Sequence, residues 1–136
     1  MRGRAFLDLA RDLLAGRTEA HWRGAAIHAY YALLLEGRDM LAAWNFPCPP
    51  HQTVHAFVRL RLTFAGDSDL QRIGKVLDDL VQLRNRASYN LQTSPTFASD
   101  ARARQAVANA MAALALLDAI AADPVRRSKA IASFPP

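Results

Sequence analysis

Apolar residues along this chain recur at steps of three and four, and no window alternates apolar and polar positions long enough to make a strand. Phe6, Leu9 and Leu13 predict a first helix over Arg4–Ala15, with Gly16 as its stop. Thr18 is placed to cap a second helix that runs to about Trp44, roughly seven turns at ~3.6 residues each. Its centre, Ala25–Leu35, is apolar nearly all round, which predicts the central element of a bundle. Asn45 to Pro50 breaks the chain, and a third helix is expected over about His51–Phe64, burying Val54, Phe57, Val58 and Leu62. Ser68 with Gln71 forms a capping box for a fourth helix that carries Ile73, Leu77, Leu80, Arg84 and Ala87 on one stripe. Ser99 or Asp100 starts a fifth helix, which runs to about Ala122 with Met111, Leu114, Leu117 and Ile120 as its heavier positions. Asp123-Pro124 then reads as a stop, leaving a basic, loosely held tail. The expectation is an all-α, up-and-down bundle of four to five helices over residues 1–122, followed by a flexible tail at 123–136.

Length and composition agree with one domain: 136 residues, 51% hydrophobic and 21% charged. One cysteine, Cys48, excludes an internal disulfide and a four-cysteine zinc cluster. The first residues carry acid too early for a signal peptide. The most apolar run, Val107–Ala122, contains Asn109 and Asp118 and falls short of the ~20 residues a membrane span needs. A soluble, cytoplasmic chain without a cofactor is expected. The formal charge is +5, almost all of it from arginine. Guanidinium forks pair with phosphate and stack on bases, so this balance permits a nucleic-acid partner without requiring one.

One residue resists a purely structural reading. Arg84 occupies a core-facing step of the fourth helix, where an unpaired guanidinium is expensive. With Asn85 beside it and Tyr89 one turn on, Arg84-Asn85-Arg86-Ala87-Ser88-Tyr89 places cation, amide and phenol at one helix end, a group able to hold phosphate. The bland alternative is an ion pair from Arg84 to an acid on a neighbouring helix, such as Glu36 or Asp39.

Three segments, in order, resemble the HEPN superfamily. Trp22-Arg23-Gly24-Ala25-Ala26-Ile27-His28-Ala29-Tyr30-Tyr31-Ala32-Leu33 is similar to the family's Arg-x-Ala-x-x-x-Ala-Tyr-Tyr-Ala helix. His51–Phe57 is similar to the start of its third helix, and Arg84–Tyr89 resembles its signature, written Arg-x-x-Ala-Asp-Tyr or Arg-x-x-x-x-His. The resemblance covers roughly Phe6 to Ile120. It implies a homodimer that faces two signature segments together. In active members the Arg and His of that segment form a metal-independent endoribonuclease. The resemblance also implies RNA or nucleotides as ligands and a toxin–antitoxin or defence setting with a nucleotidyltransferase partner. Arg84 and Asn85 match the signature, and Arg84 with Arg86 would bind phosphate. The His position holds Tyr89, a phenol with a reference pKa of about 10 and a poor base at neutral pH. Ser88 replaces the acid of the other variant. Weak or absent cleavage is therefore expected, with RNA or phosphate binding retained. A non-catalytic dimerisation scaffold is the rival class. A third reading is an active ribonuclease that uses His28 or His51 as a substitute.

The remaining candidates are weaker. His51 and His55 would share a helical face, but Gln52-Thr53-Val54 lies between them and no third ligand is near, so no metal site is expected. Asp78 and Asp79 point about 100° apart on a helix and do not converge. Cys48 lies between prolines without a basic helper.

Overall fold

A computed structural model describes residues 1–136 and contains six α-helices and no strand. The helices are α1 (Arg4–Leu14), α2 (Glu19–Ala43), α3 (Val54–Thr63), α4 (Ser68–Tyr89), α5 (Ala101–Ala122) and α6 (Pro124–Ala132), with a short 3-10 turn at Pro95–Phe97. As the apolar centre predicts, α2 is the hub, packing on α1, α4 and α5. Thr18 caps it by accepting from the His21 N–H. Its far end closes on Asn45, the one non-glycine residue with a positive φ, at 67°. The Phe46 N–H bonds back to the Leu41 carbonyl at 2.8 Å and Asn45 N–H to Ala42 at 3.1 Å, the paired bonds of a Schellman stop.

Two boundaries differ from the periodicity. First, α3 starts at Val54 because the Thr53 hydroxyl accepts from Ala56 N–H, and His51 is left exposed in the preceding turn. His51 and His55 therefore share no helical face. Second, Asp67, not Ser68, caps α4, taking the Asp69 and Leu70 N–H groups at 3.0 and 3.1 Å. Gln71 turns away to donate to the Ala65 carbonyl at 2.7 Å, so the capping box does not form. α5 keeps its expected extent, but at 22 residues it exceeds the Val107–Ala122 run and by length and composition alone is apolar enough to cross a membrane. In the fold its buried side, including Ala103, Val107, Ala110 and Leu114, packs on α1, α2, α4 and α6, while Arg102, Arg104 and Gln105 lie on its exposed side. Leu9 and Met111, two expected core positions, are partly exposed.

The expected loose tail is instead a docked helix. Asp-Pro stops one helix and starts another: Asp123 accepts from Val125 and Arg126 N–H, and Pro124, which has no N–H to satisfy, opens the first turn. Arg126 then forks onto Asp67 at 2.6 and 2.9 Å and reaches Asp69 at 2.9 Å. That fork, stronger than the burial opposing it, holds the Asp67 carboxyl below its usual pKa range. Ala130 and Phe134 are buried, with the Phe134 ring 4.9 Å from Phe46 and 6.3 Å from Trp44.

Gly74 sets how closely α3 crosses α4. A Cβ there would meet the Thr63 backbone nitrogen at 3.1 Å and the Leu62 Cβ at 3.2 Å. This close crossing lays α3 against α4, and His55 belongs to the site built there.

Phe134→Ala should cost about 3 kcal/mol in urea unfolding, the usual scale for emptying a buried aromatic position. A loosely held tail would leave the unfolding midpoint unchanged.

Candidate functional site

The site begins with a clamp on the end of α4. The last turn of any helix leaves carbonyls without partners. Here one guanidinium takes three of them: Arg23 Nη1 donates to the carbonyls of Arg86, Ala87 and Asn90 at 3.1, 3.1 and 2.7 Å. Its Nε and Nη2 donate to Glu19 Oε1 at 3.0 and 2.8 Å, and Phe97 lies under the guanidinium carbon at 4.7 Å. Arg23 is 8% exposed, so this is a desolvated cation with all three nitrogens engaged. Sequence reasoning quoted Arg23 only as part of a similar segment. Its signal was a cation one turn after Glu19, immediately ahead of the apolar centre of α2.

Inside that clamped end stands Arg84. Its Nη2 donates to the Tyr31 hydroxyl at 2.7 Å and its Nη1 to Asn85 Oδ1 at 3.0 Å. The rings of Tyr30, Tyr31 and Tyr89 lie 5.7, 5.5 and 5.4 Å from its central carbon. No carboxylate contacts it. The acids that an ion-pair reading would assign are engaged elsewhere: Glu36 takes the Arg4 N–H at 3.1 Å and Arg2 at 3.3 Å, and Asp39 takes Arg38 at 2.9 Å. Each Nη of Arg84 keeps a second N–H, and its Nε is buried without a partner. Neutral phenols and an amide hold the cation in place without neutralising it.

Two imidazoles border this cluster. His28 stacks on Phe6 with ring centroids 5.4 Å apart, and Phe6 in turn lies 6.1 Å from Tyr31. Thus His28 joins the Arg84 group through one intervening ring. His55, which sequence reasoning weighed only as a metal ligand, lies 5.9 Å from the Tyr30 ring that also flanks Arg84. Both histidines have a buried Nδ1 with no partner. Burial pushes the His28 pKa down. Burial also lowers that of His55, helped by the charge of Arg59 and to a lesser degree of Arg84, with Asp78 opposing. Both shifts favour the neutral ring.

The signature segment is not one surface. Asn85 and Tyr89 are exposed beside Arg84, Tyr89 at 74%. Arg86, expected to share a phosphate with Arg84, instead lines a groove between α4 and α5. Two helical steps place its side chain about 200° from that of Arg84. No group of three or more His, Cys, Asp or Glu side chains is gathered to hold a metal. No family model matches the chain, and no curated protein or solved structure matches it.

Arg23→Ala should destabilise the fold by about 3 kcal/mol, because it strands buried carbonyls and removes a charged donor. Arg23→Lys should recover less than half, since an ammonium cannot reproduce the planar fork. Urea unfolding and amide exchange over residues 86–90 measure this. A loss under about 0.5 kcal/mol in Arg23→Ala would mean the clamp is incidental.

Proposed function

We propose that this chain is a HEPN-like, cytoplasmic module that binds RNA phosphate through Arg84 and has weak or no endoribonuclease activity. The reading includes a homodimer and, from the same resemblance, a nucleotidyltransferase partner in a toxin–antitoxin or defence system. The single observation that carries it is the Arg84 guanidinium, held by the Tyr31 hydroxyl and Asn85 amide with no acid neutralising it. A phosphate oxygen offers the anionic partner that this fork lacks.

The same geometry argues against efficient cutting. Cleavage at a ribose 2′-hydroxyl needs a base for that proton and an acid for the departing 5′-oxygen. His28 and His55 are both biased toward the neutral form, which supplies bases and withholds the acid at neutral pH. Tyr89, at the signature's His position, projects its ring into solvent. Under this reading its phenol serves as a stacking platform and as an exposed acceptor for a partner nucleotidyltransferase.

Fluorescence anisotropy with a structured RNA over a salt series tests the proposal. Arg84→Ala should weaken binding at least tenfold and lower the salt slope by roughly one phosphate's worth, ~0.7–0.9. The RNA should remain intact without metal. A wild-type chain that binds neither RNA nor phosphate would leave the dimerisation scaffold as the better account, and Arg84-dependent cleavage would restore the enzyme.

A further inference from the structure

The groove that contains Arg86 has a volume of about 440 Å³ and draws a second cation, Arg102, from α5. Neither guanidinium forms an ion pair: Asp79, the one acid that lines the groove, takes Lys75 at 2.6 Å, Asp100 takes Arg104 at 2.5 Å, and Asp78 accepts from Gln82 at 3.3 Å. Gln105 donates to Asn109 Oδ1 at 2.8 Å, which leaves the Asn109 amide N–H groups and the Gln105 carbonyl free to meet a hydrogen-bonding edge. The groove therefore pairs two free cations with an unused donor and an unused acceptor, the chemistry of a nucleotide's phosphate and base.

Arg84 and this groove lie on opposite flanks of α4. The route between them passes the helix's C-terminal end, where Tyr89 and Leu91 stand exposed at 74% and 77%. Tyr89 is already adjacent to Arg84, its ring 5.4 Å from the guanidinium carbon. A chain of phosphates that turns around this end meets a cation, an aromatic face and then a pair of cations. A duplex cannot follow that path, because it is stiff and its bases are stacked inside; a single strand can, with an unstacked base on Tyr89.

We infer that the ligand is a single-stranded RNA that wraps the C-terminal end of α4, with one phosphate at Arg84, a base on Tyr89 and a further phosphate at Arg86 and Arg102 in the α4–α5 groove. This rests on the RNA reading of Arg84 and adds the ligand's form and its path.

The test compares a labelled RNA strand of about 12 nucleotides, within the usual range of single-strand site sizes, with its duplex. The full-length chain should bind the single strand at least tenfold more tightly. Replacing both Arg86 and Arg102 with Ala should weaken single-strand binding about tenfold and lower the salt slope by ~0.7, the value for one phosphate on a single strand. Tyr89→Phe should bind like the wild type, and Tyr89→Ala should lose several-fold affinity. All of these side chains are exposed, so circular dichroism should report an unchanged fold. Binding that needs Arg84 but ignores Arg86, Arg102 and Tyr89, or that prefers the duplex, overturns the path and leaves the Arg84 site standing. No binding of either RNA form overturns both.

Discussion

The structure of the candidate site depends on one buried guanidinium whose bonds all go to the end of α4 and to Glu19, none of them to the Arg84 side chain. Arg23 gathers the Arg86, Ala87 and Asn90 carbonyls and ties them to Glu19 and Phe97. A helix end normally frays because its carbonyls have only water to bond. Here the end of α4 is fixed to the first turns of α2, the helix that also carries Tyr31. The distance from clamp to contact is therefore spanned by two rigid helices. Arg84 meets the Tyr31 hydroxyl because both partners are held, and each would lose rotamer entropy if it had to find the other.

That arrangement separates positioning from neutralisation. A carboxylate would orient Arg84 equally well but would cancel its charge and compete with any anion. Phenol rings and a carboxamide orient it by hydrogen bonding and by the quadrupoles of their π faces, and leave the full charge available. The histidines beside it follow the same burial: what packs His28 on Phe6 and His55 near Tyr30 also disfavours their charged forms. Around one cation, then, the environment combines an unneutralised guanidinium with histidines biased toward their neutral forms.

Much of the bundle was legible in the sequence because its helices are amphipathic or, in α2, apolar throughout. Thr18 as a cap and the break after Trp44 follow from local chemistry alone. What escaped was tertiary. Asp123-Pro124 satisfies the rules for stopping and for starting a helix, and only the docking of Phe134 and the fork from Arg126 to Asp67 select the second. Asp67 outcompetes Ser68 as a cap because its carboxylate also answers that distant arginine. In the site, the stripe position of Arg84 flagged it correctly as anomalous, but no periodicity reveals that Glu36 is consumed by the start of α1. The two-residue separation of Arg84 and Arg86 already placed them on opposite flanks of the helix. The distance in space from His55 to the Arg84 group could not be read, because it depends on how closely α3 crosses α4 at Gly74.

Arg84 is a guanidinium with unused N–H groups and no carboxylate against it, and the proposed ligand is an anion. The most direct measurement is ¹⁵N NMR of the arginine Nε–H groups during titration with a short RNA, with the Arg84 resonance assigned by its disappearance in Arg84→Lys. This resonance should move from the first additions and saturate with binding. An Arg84 signal that stays still while RNA binds elsewhere would contradict it.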